Sequence, residues 1–146
     1  MSKKILWLDN DLAYIAPYVE ILQNHGFEVT CASTITEAEK ALTESYDLFI
    51  LDVMIPTKTE HEEEVYKPEE TDAGRETGLV FYAKMKERVD ATDCKWLVLT
   101  VRLDEPILKE FLAKGLRREW YDTKMNLRVA RTFLGRVQGI LAENTN

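Results

Sequence analysis

Three carboxylates, a hydroxyl and an ammonium each stand at the end of an apolar run. Lys4-Ile5-Leu6-Trp7-Leu8 leads into Asp9-Asn10-Asp11, and Leu48-Phe49-Ile50-Leu51 leads into Asp52. Trp96-Leu97-Val98-Leu99 ends at Thr100, and a weaker run through Trp120-Tyr121 reaches Lys124. If the runs are parallel strands, their ends share one rim of the sheet, where open α/β folds build their sites. Acids, a hydroxyl and an ammonium gathered there suit a divalent cation and a phosphoryl group. Taken singly, each has a plainer reading. An acid at a strand end is often a helix N-cap, Thr100 a strand-end hydroxyl, and Lys124 a solvated lysine at a helix start. Their joint occurrence with Asp52 is what points to a site.

The elements that must position them follow from periodicity. Leu12, Ile15, Val19 and Leu22 form a helical stripe with Asp11 as N-cap and Gly26 as stop. Pro17 sits awkwardly in it, so the regular helix is expected from about Tyr14, or kinked. Phe27 to Cys31 alternates as a second strand. Thr34-Ile35-Thr36-Glu37 fits a capping box that opens a helix to about Glu44. The unbroken run Leu48 to Leu51 within strand 47–52 implies burial on both faces and a parallel sheet covered by helices. A helix is expected over 79–89, a strand over 94–100, a helix over 105–114, a short strand over 118–121, and a last helix over 124–141. On that last strand Trp120 and Tyr121 alternate, so one faces the core. Five β–α units with right-handed crossovers make a single doubly wound α/β domain over residues 1–146.

Composition bounds the function. The chain has 146 residues, 45% of them hydrophobic and 31% charged, as a globular domain does. No apolar stretch approaches the roughly 20 residues that span a bilayer. With no cleavable signal pattern after Met1, the expected compartment is cytoplasmic. A net charge of −7 disfavours direct nucleic-acid binding. Of that, −5 lies in residues 57–77, where eight acids face Lys58, Lys67 and Arg75. The stretch with Lys124, Arg128, Arg131 and Arg136 is locally basic. Cys31 and Cys94 flank strands three positions apart in the order given below, roughly 14 Å, too far for a disulfide. Neither His25 nor His61 has a matching ligand set.

Lys4-Ile-Leu-Trp-Leu-Asp9, Tyr46-Asp-Leu-Phe-Ile-Leu-Asp52-Val-Met-Ile-Pro56, Leu97-Val-Leu-Thr100 and Tyr121-Asp-Thr-Lys124 occur in order at successive strand ends. In this the chain resembles a response-regulator receiver domain, the CheY-like, flavodoxin-like fold of strand order 2-1-3-4-5. The resemblance implies a phosphoacceptor at Asp52 and a Mg²⁺ site on Asp9, Asn10, Asp11, Asp52 and the Met54 carbonyl. It implies that Lys124 and the Thr100 hydroxyl bind the phosphoryl group, and that Thr100 and Tyr121 switch with it. Mg²⁺ would remove the repulsion between carboxylate and phosphoryl oxygens.

Three departures stand out. Asn10 occupies the place of a second acid, a weaker ligand unless Asp11 turns inward. Val101 replaces a small residue and should narrow the gate to Asp52. Met125 replaces a proline. The acidic stretch 57–77 reads as an insertion between strand three and helix three, because Gly78, which opens that helix, follows Asp52 by 26 residues. The simplest expectation for it is a solvated loop with little order. The functional one is a lid or docking element that modulates partner choice.

The resemblance implies a receiver in a two-component phosphorelay, and because the chain ends soon after the last helix it is expected to stand alone. It would take phosphate from a histidine kinase, a phosphotransfer protein or a small phosphodonor. Output would pass to a downstream partner, or a homodimer, through helix four, strand five and helix five of the five units. Trp120, Arg128 and Arg131 are the candidate contacts. A pseudo-receiver scaffold without phosphorylation is one alternative. A haloacid-dehalogenase-type phosphatase is another; there Asp9 would be the nucleophile, although nothing beyond Lys124 supplies that family's further acidic pair.

Overall fold

In the computed structural model, residues 2–72, 74–101 and 103–143 are described. Five strands, β1 (Lys4–Leu8), β2 (Glu28–Ala32), β3 (Leu48–Asp52), β4 (Lys95–Thr100) and β5 (Tyr121–Thr123), form one parallel sheet in the order β2-β1-β3-β4-β5. The helices are α1 (Leu12–Asn24), α2 (Ile35–Ala41), α3 (Glu60–Val65), α4 (Pro68–Thr71), α5 (Thr77–Asp90), α6 (Glu105–Ala113) and α7 (Ala130–Ala142). Helices three, four and five of the repeating units are thus α5, α6 and α7.

Both sheet faces are filled by aromatic rings. Leu6 pairs with Phe49 and Trp7 with Ile50, so Trp7 and Phe49 point to opposite faces. Trp7 stacks on Phe133 of α7 at 5.2 Å, and Phe49 stacks on Trp96 at 4.9 Å. Tyr82 of α5 meets Trp96 edge-on at 4.8 Å. Such pairs add about 0.5–1.5 kcal/mol each beyond the burial of their area. Every residue of β3 is buried, as its unbroken apolar run requires. Both cysteines are free thiols.

Several boundaries differ from expectation. The first helix starts at Leu12 and continues through Pro17. The carbonyl deprived of a partner is that of Ala13, an exposed first-turn residue, where water can replace the lost bond. Leu12 is exposed, and Ile15 and Leu22 carry the buried stripe. The capping box closes on one side only. Thr34 Oγ1 accepts from Glu37 N at 3.1 Å, but the Glu37 carboxylate takes the Ser33 hydroxyl and amide instead of the Thr34 amide.

The end of the chain is reorganised most. Arg118–Trp120 is a 3₁₀ turn, and β5 begins at Tyr121. Trp120 and Tyr121 are both buried, because the turn rotates Trp120 inward to donate Nε1–H to Glu143. Lys124 lies in a turn and not on the last helix, which starts only at Ala130. The Lys124 amide donates to Thr100 O at 2.7 Å, and Thr123 Oγ1 accepts from Asn126 N at 3.1 Å. The first bond extends the β4–β5 ladder by one step, and the second closes the turn that follows it. At the far end of α7, Lys95 Nζ donates to the carbonyls of Ile140 (3.1 Å), Leu141 (3.4 Å) and Glu143.

The acidic stretch is not a solvated loop. It forms α3 and α4, with Thr59 Oγ1 capping α3 through Glu62 N at 3.1 Å. Tyr66 is buried against Phe81, and Lys84 Nζ lies over its ring. Glu62 is 1% exposed. Its carboxylate crosses to α2 and accepts from the Thr36 amide (3.0 Å) and hydroxyl, and from Lys58 N at 2.7 Å. One inward glutamate and one tyrosine fasten a segment whose other acids face solvent, apart from the half-buried Glu76.

Candidate functional site

The site lies at the carboxyl ends of β1, β3, β4 and β5. Asp9 is fully buried just beyond β1, fixed by its amide to Ala32 O at 3.0 Å. Asp52 is the last residue of β3 and 3% exposed. Lys124 reaches between them, its ammonium 2.8 Å from Asp9 Oδ2 and 3.4 Å from Asp52 Oδ2. The Lys124–Thr100 backbone bond sets that reach from below. Asp9 Oδ1 also accepts from Asp11 N at 2.9 Å, and Asp52 Oδ1 from Met54 N at 3.4 Å.

Charge is unbalanced here. Burial raises the Asp52 carboxyl to about 7, the Asp9 charge adds to the rise, and Lys124 offsets it only in part. Burial pulls the Lys124 ammonium down, but Asp52 and Asp9 outweigh it and hold it above the ordinary lysine range. Two carboxylates sharing one ammonium leave a net negative charge in a dehydrated place.

Above this floor a cavity of about 390 Å³ opens to solvent, lined by Asn10, Asp11, Met54, Val101 and Arg75 around Asp9, Asp52 and Lys124. Asn10 and Asp11 are exposed at its mouth. Asp11 Oδ1 accepts from Tyr14 N at 3.1 Å, so one carboxylate oxygen caps α1. Among the described residues no three His, Cys, Asp or Glu side chains converge as a metal cluster. Mg²⁺ does not require one, since it is commonly held by one or two carboxylates, several waters and phosphate oxygens. The uncompensated charge on Asp9 and Asp52 fits that donor set.

Thr100 is buried at the end of β4, one residue beyond the partner of Asp52, and lines a second cavity of about 390 Å³ with Val53, Asp72, Glu76 and Asp104. Met54, Val101 and Arg75 belong to both cavities and separate them. Val101 is 56% exposed on that divide. Tyr121 points inward against Phe111 at 5.6 Å, and its hydroxyl is buried without a partner among the described residues. Burial pushes it up to about 12.

Gly78 explains how the sheet end and α5 come so close. A Cβ there would lie 2.6 Å from Val53 Cα and closer still to Asp52 O, while its amide donates to Val53 O at 2.8 Å. Two contributors escaped the reading of the sequence. Tyr14 lies beneath the Lys124 ammonium, 5.0 Å from ring centre, one α1 turn from Asp11. Arg75 counted only as one base in an acidic stretch; its signal was its position three residues before Gly78.

The fold is shared widely. A CheY-like receiver domain protein from Methanospirillum hungatei superposes with a TM-score of 0.73 at 20% identity, covering 97% of this chain and 94% of that one. This is the response-regulator receiver fold. A Thermotoga maritima response regulator (TM-score 0.71, 21% identity) covers 98% of this chain and 100% of its own. The chemotaxis protein CheY4 of Vibrio cholerae (0.69, 23%) covers 96% and 99%. No protein-family model matches the sequence, and no curated protein matches it. On the receiver fold, Asp9, Asp52, Thr100 and Lys124 occupy the four strand ends that the sequence marked, with Asn10, Asp11, Met54 and Val101 around the opening. No helix of the described residues is long and apolar enough to cross a membrane.

Proposed function

We propose that this domain is a phosphorelay receiver that accepts a phosphoryl group on Asp52 in a Mg²⁺-dependent reaction. The observation that carries the reading is the convergence of Asp52, Asp9 and Lys124 beneath one open cavity. An Asp52 carboxylate oxygen attacks phosphorus, the phosphorus–nitrogen bond of a phosphohistidine or phosphoramidate breaks, and the nitrogen leaves protonated. Mg²⁺, when bound by Asp9 and Asp52 with the Asn10, Asp11 and Met54 oxygens at the mouth, supplies neutralisation of the approaching anions. Lys124 serves as a point charge for one phosphoryl oxygen. Thr100 offers its hydroxyl to another, and Tyr121 follows the movement of Thr100. Val101 at the rim slows both entry of the donor and hydrolysis.

The donor would be a histidine kinase or a phosphotransfer protein, met in the cytoplasm. Output would leave through α6, β5 and α7, where Arg128 and Arg131 are exposed. Trp120 is buried in that face and stabilises it from within.

Intact mass after incubation with phosphoramidate tests the reading. The expected result is a gain of one phosphate that needs Mg²⁺, disappears in Asp52→Asn and is faster in Val101→Ala than in the wild type. Labelling that survives Asp52→Asn and is lost in Asp9→Asn would instead indicate phosphatase-type chemistry. A folded protein that takes up neither phosphate nor Mg²⁺ would be a scaffold.

A further inference from the structure

We propose that Arg75, carried by the acidic segment, is a second phosphoryl-binding cation, exchanging its contact with Asp72 for the phosphoryl group on Asp52. The inference rests on the phosphoacceptor reading above and adds to it a residue from outside the four strand ends.

Arg75 stands on the divide between two acidic cavities, of which only the one over Asp52 also holds a lysine. On one side are Asp52, Asp9 and Lys124; on the other are Asp72, Glu76 and Asp104. Its guanidinium is 3.9 Å from Asp72 Oδ2, a loose contact at a side chain that is 72% exposed. Exposed pairs of that kind contribute little and are readily exchanged. Burial, then the charges of Glu110, Asp72 and Asp104, raise the Glu76 carboxyl on that side of the divide.

The backbone that bears Arg75 is, by contrast, firmly built. Glu76 N donates to Thr71 O at 2.7 Å, Gly74 N to Thr71 Oγ1 at 3.2 Å, and Thr77 Oγ1 to Gly74 O at 3.1 Å. Thr71 and Thr77 are buried. Gly74 takes φ +92°, and a Cβ there would lie 3.7 Å from Ile55 O and 3.8 Å from Pro56 Cα, just beyond the end of β3. A fixed base with a long, exposed, fork-shaped side chain at the mouth of an anion site is what bidentate phosphate recognition requires. Phosphorylation replaces a monoanionic carboxylate by a group of higher negative charge, which shifts the balance between the two cavities toward Asp52. Lys124 is already engaged by two carboxylates, so a second cationic side chain beside the Mg²⁺ site has a role to fill.

The test is trifluoroberyllate, a phosphoryl mimic, titrated with Mg²⁺ into the wild type, Arg75→Ala, Arg75→Lys and Asp72→Asn, with Mg²⁺ affinity measured alone in each. Arg75→Ala should weaken trifluoroberyllate binding roughly tenfold, while Mg²⁺ alone binds as well or better because a nearby positive charge is gone. Arg75→Lys should recover part of the loss, and Asp72→Asn should tighten trifluoroberyllate by freeing Arg75. Equal trifluoroberyllate affinity in Arg75→Ala and wild type overturns the inference and leaves the phosphoacceptor reading intact. Parallel loss of Mg²⁺ and trifluoroberyllate binding in Arg75→Ala also overturns it, since that pattern belongs to a disturbed fold. A wild type that binds neither overturns both.

Discussion

Lys124 leans toward Asp9, at 2.8 Å, more closely than toward Asp52, at 3.4 Å. The lysine is therefore anchored on Asp9 and leaves the Asp52 carboxylate less well satisfied. Removing it strands two buried acids. Lys124→Gln should cost about 3 kcal/mol in a urea titration. The double variant Asp9→Asn/Lys124→Gln should be more stable than Lys124→Gln alone, by about 1 kcal/mol or more. Additive losses would show that the pair is not coupled.

The Asp52 carboxyl, raised to about 7, gives the metal-free protein a definite pH dependence. The folded state holds this proton more tightly than the unfolded chain, whose aspartate titrates near about 3.9. The group's penalty is thus absent below that pH, grows as pH rises, and is complete above the folded value. Metal-free Asp52→Asn should lose this contribution, so its stability advantage over wild type should be larger at pH 8 than at pH 5. Mg²⁺ affinity of the wild type should fall on acidification below neutrality, up to about tenfold per pH unit as the proton competes. A flat Mg²⁺ affinity from pH 5 to 8 would refute the assignment.

Glu62 has the opposite sign. Burial alone would raise it, but the Thr36 hydroxyl, the Lys58 amide and the Thr36 amide together hold it below the ordinary glutamate range. Its contribution is present above the unfolded value of about 4.3 and is lost as pH falls through the lower folded value. Glu62→Gln should cost about 1–3 kcal/mol at pH 7. Hydrogen exchange should quicken in α3, and the difference from wild type should shrink in acid. An unchanged melting temperature at neutral pH would count against the anchor.

Gly78 and Gly139 make a matched pair of alanine substitutions. The Gly78 Cβ would collide with backbone at Val53 and Asp52, whereas nothing lies within 4 Å of a Cβ at Gly139. Gly78→Ala should destabilise by about 1–3 kcal/mol and weaken Mg²⁺ binding by displacing Asp52. Gly139→Ala should stabilise α7 by about 0.5–1 kcal/mol and leave the site untouched. Chemical denaturation and Mg²⁺ titration of the two variants decide it.

The strand ends were legible in the sequence because a buried parallel strand has a stark signature. Leu48 to Leu51 admits no polar residue, so Asp52 announces the point where the sheet meets water. The placement of Asp9 and Thr100 follows from the same contrast, whereas the strand order follows from the resemblance of the four motifs to a receiver domain. Lys124 was assigned to the wrong element because Leu127 and Phe133 continue a helix-compatible pattern. Only the long-range bond from its amide to Thr100 O shows that the backbone is still following β4. The acidic segment misled for a related reason. Composition averages over residues, and the burial of Glu62 depends on donors from Thr36, 26 positions away. Arg75 was invisible as a site residue because its relation to Asp52 exists only once α5 is docked through Gly78.

The attachment of Lys95 to the last carbonyls of α7 gives that helix a fulcrum. Its 13 residues make a rod about 20 Å long, clamped at the end remote from the site. The near end is held by Tyr18, whose hydroxyl donates to Arg128 O at 2.6 Å. A tilt of only about 5° around the clamped end carries Ala130 through about 1.7 Å on a rod of that length, while Ala142 barely moves. A small displacement at Lys124 would then be delivered as leverage at the exposed arginines beside the site, with the Lys95 end of the helix nearly at rest.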